Sequence, residues 1–326
     1  MNILTLLAVM WPLTIVEPTS PLPSDSIREE EVTLCHGDIS LPAVVCLPAT
    51  KDTPQEAVAR YPAVVLVAGS GPNDKDETIG PNKPFRDLAH RLAKAGIASL
   101  RYDKRTLVYG ARSREVSGGR MDFQTEVVDD AAEALRQLAR REDVDAGRLY
   151  VVGHSLGAMM APRIVAACAS HTKVAGMVAL APPARTLLQC AHDQVKHIAS
   201  QQGASEALAE QTAAKAVQQM KASLPAEYAA EAENYTPLAD AKKLTPLPML
   251  LLFGEYDYQV TIADYIQWQF ALRNHSAASL HYLPKHDHLL RALDHPAQPA
   301  DYLQPGFMTD EALGLIVAFI HAPRKD

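Results

Sequence analysis

The stretch that decides the fold runs from Arg148 to Ala161, RLYVVGHSLGAMMA. An apolar run, Leu149 to Val152, ends in Gly153, His154, Ser155, Leu156 and Gly157, and small helix-forming residues follow. Glycines two positions either side of a serine let a strand turn sharply into a helix where neighbouring Cβ atoms would collide. The turn lifts Ser155 to the end of its strand, with its hydroxyl at the head of the next helix. The first N–H groups of that helix point at any oxyanion formed when the serine attacks a carbonyl. The backbone N–H of Leu156 is the first such donor. A five-residue pattern of this kind recurs by chance, so its meaning rests on the strand before it and the helix after it.

Outward from that turn, a chain of 326 residues has room for one large α/β domain with an insertion, or for two ordinary domains. With 48% hydrophobic and 21% charged residues the composition is that of a globular protein, neither disordered nor fibrous. The net charge is −7, with no dense basic run beyond the short Arg101 to Arg105 segment, which argues against a nucleic-acid partner. Four cysteines (Cys35, Cys46, Cys168, Cys190) without C-x-x-C spacing indicate neither a disulfide framework nor a metal knuckle. In a hairpin turning at Gly37 and Asp38, Cys35 faces roughly Ser40, and Cys46 lies beyond reach of it. Ile3 to Val16 is mostly apolar, and Pro18 to Ser26 is rich in proline and serine. A secretory signal and linker over residues 1–26, with a periplasmic or secreted protein, is the favoured reading. A cytoplasmic protein with an uncleaved arm is the alternative, because no Lys or Arg precedes the apolar run and no small-x-small site follows it. That run is shorter than the ~20 residues a bilayer span requires, so no integral span is expected.

The core elements follow from local pattern. Glu31 to Cys35 and Ile39 to Leu47 read as a hairpin at the sheet edge, Pro42 demoting part of the second strand to an edge position. Ala63 to Ala68 is the continuous apolar run of a strand buried on both faces. A long polar loop follows from Gly69 to Pro84, of a length that is usually functional. Phe85, Leu88, Ala89, Leu92 and Ala93 mark a helix that Gly96 stops. Ile97 to Leu100, the run ending at Val152, Val174 to Leu180, Met249 to Phe253 and Ser279 to Leu283 complete the strands. Helices are expected over Phe123 to Arg140 (capped by Asp122), after Ser155, over Ile262 to Leu272 and over Asp310 to Ile320. The sum is a mostly parallel eight-stranded sheet covered by helices on both faces. Between core segments 27–183 and 246–326, residues 184–245 are rich in Ala, Gln, Glu and Lys, with helices over Ala204 to Ala222 and Ala226 to Ala232. This segment leaves the sheet at the carboxyl end of a strand, the position of a lid over a site there.

Acyl transfer by serine needs a base for the Oγ proton and an acid that holds the base in its working tautomer. Asp257 follows the penultimate strand and His288 the last, which puts both at the Ser155 end of the sheet in the chain order Ser, Asp, His. Glu255 competes with Asp257 and His286 with His288, and the second of each pair is preferred. The second oxyanion donor belongs to the loop after the early central strand, where the Ser70 backbone N–H is favoured. His154 leaves its strand on the side opposite Ser155 and is expected to pack at the turn rather than serve as base.

From about residue 30 onward these features resemble the α/β-hydrolase superfamily. The loop Gly69, Ser70, Gly71, Pro72, Asn73, Asp74, Lys75, Asp76, Glu77, Thr78, Ile79, Gly80, Pro81, Asn82, Lys83, Pro84, Phe85, with Arg101 to Arg105 after it, narrows the likeness. It is similar to bacterial esterases with dienelactone-hydrolase-like or serine-aminopeptidase-like domains. Ala68, where many relatives carry histidine, and Lys75, where arginine is common, depart from the pattern. The resemblance implies carboxylic-ester hydrolysis through an acyl-enzyme, without metal or organic cofactor, and the leading reading is an esterase that cleaves small esters of short to medium acyl chain. An aminopeptidase or amidase, anchoring a free amino group on Glu206, Glu210, Glu231 or Glu233, is the competing enzyme, and a non-catalytic hydrolase-like binding protein is the alternative from another class.

Overall fold

The computed structural model describes residues 27–49 and 60–323, so the expectations for residues 1–26 lie outside the described residues. The strands are β1 (Ile27–His36), β2 (Ile39–Pro48), β3 (Tyr61–Val67), β4 (Ala98–Tyr102), β5 (Val144–His154), β6 (Val174–Leu180), β7 (Met249–Gly254) and β8 (Ala278–Leu283). They form one eight-stranded sheet in the order β1-β2-β4-β3-β5-β6-β7-β8. The β1–β2 hairpin and the β2–β4 pair are antiparallel, and every pair from β4 through β3 to β8 is parallel.

The central strands are apolar throughout because each feeds two cores. In β3, Ala63, Val65 and Val67 face one cluster while Val64 and Leu66 face the other, and β5 and β7 alternate in the same way. Helices α1 (Pro84–Lys94) and α9 (Asp310–His321) cover the second cluster. Helices α2 (Asp129–Ala139), α3 (Leu156–Cys168) and α8 (Ile262–Leu272) cover the first, with Phe123 and Trp268 among its largest buried side chains. Pairing of two Leu- or Val-sized faces per strand places most of the folding free energy here, at roughly 1.5–3 kcal/mol per fully buried side chain.

Three local expectations are corrected. Pro42 does not mark an edge, since β2 lies between β1 and β4; it stands where the β4 ladder stops at Ala43↔Tyr102, so its missing N–H falls outside that ladder. The helix expected from Phe123 opens as a π turn over Gln124–Val128 before α2 begins, with Asp122 accepting the Thr125 N–H at 2.9 Å as its cap. A helix missed in the sequence, α4 (Leu187–Gln201), starts at a reciprocal cap between Thr186 and Gln189. It precedes α5 (Glu206–Ser223), α6 (Ala226–Asn234) and α7 (Leu238–Lys243), so residues between β6 and β7 are helical as expected. Cys35 pairs in register with Ser40, and the four cysteines are free thiols.

Candidate active site

The turn after β5 explains its glycines. A Cβ on Gly157 would overlap the Val67 carbonyl, and one on Gly153 would overlap the Gly157 backbone, so α3 crosses β3 and β5 closer than any other residue permits. Ser155 sits between them at φ 53°, ψ −115°, a conformation an L-residue holds only when its surroundings impose it. Its N–H is bonded to the Leu180 carbonyl at 2.9 Å, which fixes the strained residue to β6. Leu156 begins α3, where helix N–H groups have no partner within the helix.

The loops after β7 and β8 meet each other, and the second contacts His154, the residue before Ser155. His288 Nδ1 and Asp257 Oδ2 are 2.7 Å apart, with both residues buried. The other Asp257 oxygen accepts the N–H groups of Gln259 at 2.7 Å and Val260 at 3.1 Å, leaving Oδ2 to the imidazole. The competing residues are engaged elsewhere. Glu255 accepts the Lys285 N–H at 2.9 Å, and His286 spans the Pro284 carbonyl at 2.7 Å and the Thr309 hydroxyl at 2.8 Å.

The loop after β3 passes over the same rim, and buried charge pins it. The Gly69 carbonyl accepts from Lys104 Nζ at 3.0 Å and from Asn73 Nδ2 at 3.0 Å, and Lys104 pairs with Glu126 at 2.8 Å. Arg101 binds Asp76 at 3.0 Å, and Asp103 accepts the Lys75 N–H at 2.7 Å. Burial raises the Asp76 carboxyl, but Arg101 and Lys83 outweigh it and hold that group below its ordinary range. Arg105 forms a bidentate pair with Asp130, its two contacts at 2.8 and 2.5 Å. The charged run Arg101 to Arg105 is therefore a fastening for this loop and for α2. Further along the loop, Asn82 holds Tyr302 and Gln304 carbonyls and the Gly306 N–H, which ties it to the segment before α9.

His154 does more than pack. Its Nδ1 lies 2.9 Å from Glu77 Oε1 and its Nε2 3.0 Å from the His288 carbonyl oxygen, and the same Glu77 oxygen accepts the Gly69 N–H at 2.6 Å. Glu77 and His154 are 77 positions apart in the chain, and the sequence signal that could have paired them is a histidine beside the elbow serine facing an acidic loop. A small apolar cluster of Tyr258, Leu289, Ala297 and Tyr302 flanks the Asp257 and His288 loops, and Ile198 of α4 packs on it. His197 stacks on Tyr258 with ring centroids 5.2 Å apart.

Among the described residues one group brings three metal-ligating atoms together: Glu29, Cys46 and His90, within 4.8 Å of one another. It lies on β1, β2 and α1, and Arg101 bonds the Glu29 carboxylate at 2.8 Å, a guanidinium charge that opposes a cation there. No helix among the described residues is long and apolar enough to cross a membrane.

A strained serine at a strand-to-helix turn, with a buried acid–imidazole pair on later loops of a parallel sheet, defines a hydrolase architecture. The profile of the alpha/beta hydrolase family matches residues 64–302, and the chain belongs to that family. It is similar to esterase EstD of Thermotoga maritima, 36% identical over 303 residues that span 91% of this chain and 68% of EstD. An esterase from Pyrococcus furiosus shares the fold over 95% of this chain and 96% of its own, with TM-score 0.56 at 16% identity. A puromycin-hydrolysing peptidase of Mycobacterium tuberculosis shares it over 92% of this chain, with TM-score 0.60 at 18% identity, and there the chain spans only 40% of the longer protein.

Proposed function

We propose that this carboxylic-ester hydrolase works through an acyl-enzyme formed on Ser155, with His288 as base and then acid and Asp257 orienting His288. The observation that carries the reading is the 2.7 Å bond between Asp257 and His288 Nδ1, which leaves Nε2 of that ring as the proton acceptor. Ser155 Oγ attacks the ester carbonyl as its proton passes to His288 Nε2. The tetrahedral oxyanion is held by the Leu156 and Ser70 N–H groups, and the imidazolium returns the proton to the departing alcohol. Water, deprotonated by the same ring, then releases the acid. The Ser70 role has a geometric support. In a trans peptide the C=O and N–H point opposite ways, so anchoring the Gly69 carbonyl to Lys104 and Asn73 aims the Ser70 N–H away from them.

The 36% identity to an enzyme named an esterase supports the ester as substrate. The helices between β6 and β7 serve as the lid: α4 closes over Tyr258 and Leu289 beside the acid and base, which favours a compact acyl group of short to medium length. The four glutamates that would anchor a peptide amino group are already paired. Glu206 and Glu210 bind Lys196 at 2.7 and 3.0 Å, Glu231 binds Arg163 at 2.8 Å and Glu233 binds Lys221 at 2.6 Å. These pairs weigh against an aminopeptidase.

The test is hydrolysis of p-nitrophenyl esters from acetate to palmitate, with alanine p-nitroanilide alongside, by wild type and Ser155→Ala. Activity should peak at short to medium chains and be lost in the variant, which keeps its fold. Turnover by Ser155→Ala, or cleavage of the anilide alone, would overturn the reading.

A further inference from the structure

We propose that Glu77 and His154 are positioning residues for ester hydrolysis, a buried pair that holds one proton between them and through it ties the oxyanion loop to the loop carrying the base. The inference rests on the Ser155 and His288 reading above.

The proton count follows from the partners. A carbonyl oxygen only accepts, so the contact with the His288 carbonyl at 3.0 Å requires a hydrogen on His154 Nε2. Nδ1 faces a carboxylate oxygen at 2.9 Å, and that contact is a hydrogen bond only while a second proton lies between them. Glu77 Oε1 receives the Gly69 N–H as well, so one oxygen joins the residue before Ser70 to the residue before Ser155. Through the far nitrogen the same ring holds the backbone of His288. Three segments distant in the chain, the oxyanion loop, the elbow and the base loop, therefore meet on one ion pair.

The surroundings are closed and few in charge. His154 is buried, and around it stand Glu77, the His288 ring at 4.7 Å and, farther off, the charge of Asp257. Burial alone would favour the neutral ring, but the charge and hydrogen bond of Glu77 outweigh it, and the His154 pKa lies above its ordinary value. Glu77 Oε2 is buried with no hydrogen-bond partner, so the carboxylate is committed to its Oε1 contacts. The residue holds a left-handed φ of 52°, the kind of strain that persists where the surroundings over-determine a conformation. Loss of the shared proton sets a carboxylate against a ring lone pair and leaves net negative charge in a buried site. Gly69 and the His288 backbone then lose their common anchor.

The sign of the pH effect is fixed. A group whose folded pKa is raised contributes its stabilisation fully below the ordinary histidine value, and that contribution disappears as pH rises through the folded value. Turnover number should therefore fall on the alkaline side of the ordinary histidine range, where the raised His154 pKa places the loss of its proton, with KM nearly constant.

The experiment is the pH profile of kcat and KM on p-nitrophenyl acetate for wild type, Glu77→Gln, Glu77→Ala and Ser155→Ala, with ¹⁵N spectra of histidine-labelled wild type. Glu77→Gln removes the charge that retains the proton, and its alkaline fall should move at least about one pH unit lower. Glu77→Ala should lower kcat about 10- to 100-fold, less than removal of an oxyanion donor itself, with KM changed less than about threefold. One buried histidine should keep two protonated ring nitrogens above the ordinary histidine range. An alkaline limb identical in wild type and Glu77→Gln overturns the proposal, as does wild-type kcat in Glu77→Ala. If the variants fail to fold, absence of the doubly protonated histidine in the wild-type spectrum overturns it alone. An active Ser155→Ala would instead overturn the reading beneath it, whatever the Glu77 variants do.

Discussion

The rim of the sheet and the helices between β6 and β7 are built on opposite plans. At the rim, ionisable groups are buried and bonded in pairs: Lys104 with Glu126, Arg105 with Asp130, His154 with Glu77 and His288 with Asp257. In α5 only Ala209 and Ala213 are fully buried, and its ion pairs lie at the surface, as between Lys196 and the exposed Glu206 and Glu210. Buried pairs cost desolvation and stabilise little over an apolar replacement, but breaking one leaves an uncompensated charge. Their use at the rim makes each loop geometry an all-or-none property. Surface pairs on an alanine-rich helix impose no such condition. The two regions meet at a few points: Tyr228 of α6 donates to Glu126 at 2.6 Å, and Glu231 accepts the Phe123 N–H at 2.7 Å.

The sharpest challenge to this contrast is a change that keeps shape and removes one charge at the rim. Asp257→Asn should retain the Gln259 and Val260 N–H bonds through its oxygen and turn its NH₂ toward His288. That forces the ring into the tautomer with hydrogen on Nε2, which cannot accept the serine proton. Turnover should fall about 10⁴-fold with the fold retained, read by kcat and circular dichroism. A loss under tenfold would show that Asp257 does not set the tautomer.

An intermediate effect is expected where the regions touch. Tyr228→Phe strips the hydroxyl from a buried carboxylate, and the hydrogen bond to a charged group is worth about 1.5–3 kcal/mol in urea unfolding. Lys104 keeps its contact with Glu126, so turnover should change far less than stability. A larger loss in kcat than in stability would show that α6 controls the loop after β3.

The smallest effect belongs to the helices between β6 and β7. Glu210→Gln removes exposed pairs to Lys196 and His192 and should leave both melting temperature and ester turnover unchanged. A selective loss toward aminoacyl substrates would reopen the role of these glutamates as an amino-group anchor.

Much of the fold was legible locally. Apolar runs bounded by turn residues located the strands, because a parallel strand buried on both faces needs no partner information to be recognised. Pro42 misled because a proline restricts one ladder only, and strand order decides which. The start of α4 was missed because Leu187 to Gln201 carries its cap at Thr186 behind two prolines, Pro182 and Pro183, and buries few apolar side chains. At the candidate site the sequence singled out the elbow serine and the loops that follow β7 and β8. It preferred Asp257 to Glu255 and His288 to His286, near neighbours in the chain that only the loop geometry separates.

By itself, then, the sequence determined the alternation of strands and helices, the glycines that let α3 cross β3, and the end of the sheet at which the polar loops gather. Those are properties of periodicity and backbone volume, written within a few residues of each other. Tertiary structure alone decided that Asp257 reaches His288, that Lys104 holds the Gly69 carbonyl and that Glu77 meets His154. Each of these joins loops dozens of residues apart, and a hydrogen bond exists only within about 3.2 Å. The order in which the strands are laid beside one another is what brings such groups within that distance.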